Sequence, residues 1–162
     1  MAQTLSVQEM LPAKFTPMMK RHFVFAIEGI DAFLIKTASR PEITTEEQTI
    51  NWINSTRYVA GKTTFGAMSV TLHDPIAPSG AQQVMEWVRL HFESVSGRAG
   101  YPDFYKRDIQ LKMLDPVGTV IQLWDIKGAF LLSANFNEIT YEGSDMMDIA
   151  LSIRYDNAVM QF

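Results

Sequence analysis

From Met147 to Asp156 apolar and polar side chains alternate without interruption: Met147, Ile149, Leu151, Ile153 and Tyr155 face one way, and Asp148, Ala150, Ser152, Arg154 and Asp156 face the other. A period of two predicts a half-buried strand whose polar side meets solvent or a polar partner. The same alternation runs through Arg107 to Leu114, with Ile109, Leu111 and Met113 set against Asp108, Gln110 and Lys112. Asp115-Pro-Val-Gly118 then reads as a turn into a strand over 119–127, and Asp125-Ile-Lys-Gly128 leads into AFLLSANF. Near the other end, HFVFAI at 22–27 passes through Glu28-Gly29 into FLIKTA at 33–38, a pattern that predicts a hairpin closed by Pro41.

Between these blocks the pattern is less regular. EITTEEQT, residues 42–49, is a polar, acidic connection. After it Ile50, Trp52, Asn54, Thr56 and Tyr58 fall on one side of an expected strand and Asn51, Ile53, Ser55 and Arg57 on the other. Neither side is cleanly polar, so both are expected to touch protein, including another subunit. Ala60-Gly61-Lys62 is expected to turn into a strand over 64–74. One helix is predicted. Ala81, Val84, Met85, Val88, Phe92 and Val95 form a stripe at helical spacing, with Ser79 as N-cap, Gly97 as stop, and Trp87 and Leu90 off the centre of the stripe.

The chain has 162 residues, enough for one domain with a sizeable core, and we divide it into an N-terminal arm, 1–21, interrupted by Pro12 and Pro17, and a body, 22–162. The absence of cysteine excludes disulfides, thiolate metal sites and cysteine nucleophiles. Net charge is −4, and all of the imbalance lies beyond residue 81, where seven basic residues face eleven acidic ones. A protein that grips DNA by neutralising phosphates should be basic, and this one is not. With no apolar run near the length needed to span a bilayer, a soluble, unexported protein is expected.

Candidate chemistry is thin. Gly61-Lys62-Thr63 ends like a phosphate-binding loop, but the glycine required five residues earlier is Thr56, and the residues from Thr64 to Asp74 alternate as a strand rather than a helix. His91-Phe-Glu93 lacks the cysteines of a zinc deaminase, and Glu46-Glu47 lies in a polar segment without a pocket to raise a carboxyl pKa. We therefore nominate no catalytic, cofactor or metal residues and expect no enzyme.

The succession of elements is more specific than any motif. An N-terminal hairpin, a polar connection, Val59-Ala-Gly-Lys62 entering a strand that ends at Asp74, a tryptophan-bearing helix, Tyr105-Lys106 at a strand entry, Asp125-Ile-Lys-Gly128, and an alternating strand closing at Arg154-Tyr-Asp156 together resemble the tail tube protein of contractile-tailed bacteriophages, over about 22–157. The resemblance implies a mainly β fold with one α-helix, two packed antiparallel sheets, and strands contributed to the barrel of a hexameric ring. It implies rings stacked into a tube inside a tail sheath protein, with baseplate and tail-terminator proteins at the ends. A tape-measure protein would fill the bore before genomic DNA passes through it without specific binding. The setting implied is a virion tail assembled in the host bacterial cytoplasm. For ring stacking we nominate Glu42, Glu46, Glu47, Asn51, Trp52 and Arg57, from the long two-sided segment Glu42 to Arg57, for which an ordinary surface hairpin is the alternative; for the lumen, Asp148, Ser152 and Asp156, with polar faces over 50–58 and 64–73 as alternatives. Two other functions fit the pattern: the tube of a bacterial contractile injection system that moves effector proteins, and a monomeric ligand-binding β-barrel.

Overall fold

The computed structural model describes residues 15–162; most of the arm expected over 1–21 lies outside them. In chain order the strands are β1 (Phe23–Ile27), β2 (Ile35–Ala38), β3 (Ile43–Trp52), β4 (Ser55–Phe65), β5 (Met68–His73), β6 (Arg107–Leu114), β7 (Val120–Asn135), β8 (Asp148–Arg154) and β9 (Asn157–Met160). Helix α1 spans Gly80–His91, the short α2 spans Pro102–Tyr105, and a single 3-10 turn, Ala32–Leu34, precedes β2.

The fold is mainly β, built from two antiparallel sheets that share one strand. In the first, β1 pairs with β6, β6 with the N-terminal half of β7, and that half with β9. In the second, the C-terminal half of β7 pairs with β8, β8 with β5 and β5 with β2. The change of sheet occurs around Gly128, whose φ of +66° is a conformation that side-chain-bearing residues seldom adopt. A Cβ at Gly128 would also collide with the Asp156 carboxylate. The inner faces meet in one core: Phe25, Ile27, Ile109, Leu111 and Ile126 from the first sheet pack with Met68, Val70, Leu72, Ile149, Leu151 and Ile153 from the second.

This core explains why the alternations over 107–114 and 147–156 are readable: Ile109, Leu111 and Met113, and Ile149, Leu151, Ile153 and Tyr155, are buried in it, whereas Met147, expected on the same side, precedes β8 and is exposed. Other expectations need correction. β1 and β2 do not form a hairpin with each other; β1 joins β6 and β2 joins β5, so Glu28-Gly29 begins a crossing between sheets, linked to Ile30 by one bridge. Both strands are short, FVFAI and IKTA, and a local pattern of that length does not specify its partner. The strand expected over 119–127 does not stop there: β7 continues through Gly128 to Asn135, since a glycine with positive φ bends a strand as readily as it ends one. The short β9 has no counterpart among the expected elements.

Helix α1 starts as expected. Ser79 Oγ accepts the Gln82 N–H at 3.4 Å, and Asp74 Oδ1 accepts that of Ala81 at 3.1 Å, which satisfies two of the free donors of the first turn. It stops at His91, short of Gly97, where two serines and a β-branched valine weaken helix propensity and the chain folds back so that Phe92 bridges Ala99. Gly97, with φ +70°, closes that return rather than the helix. Trp87, expected off the stripe, is instead its anchor: it is buried, its Nε1–H donates to the Tyr105 carbonyl at 2.7 Å, and Arg107 stacks 5.0 Å from its ring. The Arg107 guanidinium also donates to the Glu28 carbonyl at 2.5 Å, and burial lowers its pKa. It thereby ties the β1 exit to the helix.

Candidate assembly interface

The segment that reads in sequence as a polar connection followed by one strand is a two-stranded hairpin, β3 and β4, outside both sheets. The expected strand over 50–58 is corrected by this pairing: Trp52 lies directly across from Ser55, so 52–55 is the turn. Ile53 at its tip has φ +38°, which is unusual for a β-branched side chain. Nor does Ala60-Gly61-Lys62 enter a new strand. Thr45 pairs with Thr63 and Glu47 with Ala60, so Gly61 and Lys62 together oppose Glu46 as a β-bulge inside β4. Glycine suits that place, because a Cβ there would lie 3.0 Å from the Glu46 carbonyl oxygen.

None of the 21 strand residues of this hairpin is buried. Toward the tip, the first face carries Gln48, Ile50 and Trp52 opposite Val59, Arg57 and Ser55; the second carries Glu47, Thr49 and Asn51 opposite Ala60, Tyr58 and Thr56. Both faces thus expose large apolar groups, and Trp52 and Ile53 at the tip are 70% and 92% exposed. A lone two-stranded ribbon is marginal in water, so contacts beyond this subunit would be needed to hold it. Five of the residues nominated for stacking, Glu46, Glu47, Asn51, Trp52 and Arg57, lie on the hairpin but divide between its faces and its bulge. Glu42 stands at its base, where its carbonyl accepts the Gly66 N–H at 3.0 Å. A surface hairpin is the alternative the sequence offers for Glu42 to Arg57; its register, pairing 43–52 with 55–65, is not among the expectations.

The outward face of the second sheet has a different character. Across it run two rows, Ser69–Ser152–Ser133 and Thr37–Thr71–Ala150–Asn135, set by the register of β2, β5, β8 and β7. Ser39 extends the first row, its Oγ accepting the Ser69 N–H at 2.9 Å. No ionisable side chain interrupts either row. At one end lies a charged cluster: Lys36 Nζ is 2.6 Å and His73 Nδ1 3.3 Å from the Asp148 carboxylate. The Lys36 ammonium holds the Asp148 carboxyl below the usual carboxylate range. Arg154 stands at the other end, across from Phe130. Of the residues nominated for a lumen, Asp148 and Ser152 share this face. Asp156 lies past the end of β8, at the bend of β7, with Lys106 Nζ at 2.6 Å.

A groove of about 400 Å³ runs between α1 and the C-terminal half of β7, lined by apolar groups that include Met85, Val88, Phe92, Leu132 and Phe136. Among the described residues no cluster of histidines and carboxylates could hold a metal ion, and no helix is long and apolar enough to cross a membrane.

Two packed antiparallel sheets sharing a bent strand, one helix at the side and a projecting hairpin define a tail-tube-type fold. No protein-family model and no curated protein matches the sequence, but solved structures do match the fold. A chain of the tube-terminating cap of the anti-feeding prophage superposes with a TM-score of 0.74 at 14% identity, over 97% of this chain and 99% of that one. A chain of the sheath/tube terminator of the extracellular contractile injection system PVC, in its extended state, gives 0.74 at 13% identity, over 93% and 100%. The SPP1 tail tube gives 0.52 at 12%, over 89% and 78%.

Proposed function

We propose that this chain is a structural subunit of the inner tube of a contractile tail: six copies form a ring, rings stack into a hollow tube, and the tube serves as a conduit inside a sheath. The observation that carries this reading is the β3–β4 hairpin, a ribbon anchored by Phe65 at its base and exposed over the rest of its length toward the tip, with apolar groups on both faces. Glu42, Glu46, Glu47, Asn51, Trp52 and Arg57 make the contact between rings. The wall of the bore is the outward face of the second sheet. Four strands from each of six subunits, spaced ~4.8 Å and tilted ~40°, close into a barrel about 48 Å across at the backbone, wide enough for a duplex after side chains are subtracted.

Uncharged rows, with Asp148 neutralised by Lys36 and a single further cation, Arg154, at the far end, suit a sliding polyanion, because a lysine-lined bore would hold DNA through the counterions it displaces. In a phage tail the conduit passes genomic DNA and a tape-measure protein, between a baseplate and a terminator. The second reading, an injection system that moves effector proteins, fits the same wall, because its uncharged rows do not select a polyanion over a protein. Neither reading requires the chain to be an enzyme. Electron microscopy and gel filtration of the purified protein test the assembly. Rings and tubes are expected; one monomer peak near 18 kDa at every concentration would support a ligand-binding barrel instead.

A further inference from the structure

The two ends of the second sheet differ in character. At one end Ala38 lies beside Val70, Met68 beside Ile153 and Arg154 beside Phe130, and there the chain leaves β2 for the hairpin and returns from it into β5. At the other end Ile35 lies beside Leu72, His73 beside Asp148 and Ala150 beside Asn135, and there residues 136–147 join β7 to β8. The hairpin end holds a pocket of about 450 Å³, walled by Met18, Met19, Phe23, Leu111 and Met113. Lys20 and Arg40 line it too, and among the described residues neither is ion-paired with an acid.

The loop at the opposite end has the converse character. Its base is fixed: Asn137, with φ +59°, donates its Nδ2–H to the Asp148 carbonyl at 2.8 Å, and the Asp74 N–H donates to the Met147 carbonyl at 3.0 Å. Between these ties every residue from Glu138 to Met146 is exposed, and none belongs to a helix or strand. A connection of this length without secondary structure in a compact domain usually has a function of its own. It carries three acids, Glu138, Glu142 and Asp145, no base, and three exposed apolar groups, Ile139, Tyr141 and Met146. An acidic loop with apolar side chains complements a cation-bearing pocket walled by methionines, which adapt to the shape they receive. Because they stand at opposite ends of the sheet, they meet between copies: rings stacked in one sense bring loop against pocket, a heterologous contact that repeats without closing. Stacked in opposite senses, loop would face loop and the acids would repel. We infer that the 138–146 loop of a subunit in one ring docks in the methionine-walled pocket of a subunit in the next, its apolar side chains against Phe23, Leu111 and Met113 and its acids facing Lys20 and Arg40. This rests on the tube reading and adds to the hairpin a second contact between rings, one that sets the sense of the stack.

Charge exchange tests the contact, because all five ionisable side chains are exposed and their reversal should leave the unfolding midpoint unchanged. The loop variant Glu138→Lys/Glu142→Lys/Asp145→Lys and the pocket variant Lys20→Glu/Arg40→Glu should each still form rings by gel filtration, but give tubes at least tenfold shorter than wild type in electron micrographs. Mixed in equal amounts, the two variants should recover long tubes, since the basic loop of one then meets the acidic pocket of the other. A single chain carrying both sets of changes should also recover them. Wild-type length from the pocket variant alone gives the pocket to another occupant, the chain's own residues 1–14 among them, and overturns the docking while leaving the tube standing. Short tubes that neither the mixture nor the combined variant restores mean that the loop serves another partner, and overturn it as well. A wild-type protein that stays monomeric refutes the docking and the tube together.

Discussion

Trp87 joins three elements: its indole packs against the core from α1, its N–H is held by the Tyr105 carbonyl at the end of α2, and its face receives Arg107 from the first residue of β6. Trp87→Ala removes all three contacts and leaves a cavity, and should cost about 3–5 kcal/mol by urea denaturation. Trp87→Phe, which keeps most of the volume but loses the hydrogen bond, should cost less. Charge contributes at this scale too. Asp148 and Asp108 have carboxyls depressed below their ordinary range by Lys36 and Lys127. A depressed carboxyl stabilises the folded state fully above its unfolded pKa of about 4, and that contribution is lost as pH falls through the lower folded value. The urea midpoint should therefore drop as pH is taken from about 5 to about 2, and Asp148→Asn should show a shallower drop with a lower midpoint at pH 7.

Among the elements, the strands that face one apolar side to the core are legible in the sequence and the ones that do not are not. Ile109, Leu111 and Met113, and Ile149, Leu151 and Ile153, sit where their alternation puts them because each has a buried sheet opposite. β3 and β4 have no buried side within the subunit, so no alternation marks them and the pair resembles a connection and a single strand. β1 and β2 are recognisable as strands but not as partners of β6 and β5, since partner choice is settled by sheet geometry and not by the few residues between them. The nominated stacking residues cluster on one element because they come from one stretch of sequence; the hydroxyl rows, drawn from four strands far apart in the chain, leave no local trace. The hairpin also yields a prediction. Glu46→Lys/Glu47→Lys alters only exposed side chains, so the unfolding free energy should move by no more than about 0.5 kcal/mol. Filament length in electron micrographs should nevertheless fall; filaments of undiminished length would remove these residues from the stacking contact.

For the molecule as a whole, net charge and the charge of the proposed wall are different quantities. The chain carries −4, yet its serine and threonine rows are uncharged, and the acidic excess beyond residue 81 does not gather on them. Composition alone points to an acidic bore or a neutral one; the proposed wall, set by the register of β5 and β8, is of the neutral kind between its charged ends at Asp148 and Arg154. The consequence can be measured on assembled tubes. Wild-type tubes should retain no duplex DNA at about 0.15 M salt, whereas Ser152→Lys, which adds a cation to the middle of a row, should retain DNA in a manner that weakens steeply with salt. Equal retention by both would take Ser152 off the bore.

β7 bends at Gly128 without breaking, so a single backbone belongs to both layers of the sandwich. Shear applied between the layers is therefore resisted by covalent bonds along this strand as well as by the packing of the core. Hydrogen-bonded ladders can yield one rung at a time, but a shared strand makes the two layers a single mechanical piece, stiff against sliding and free to flex only where its glycine permits.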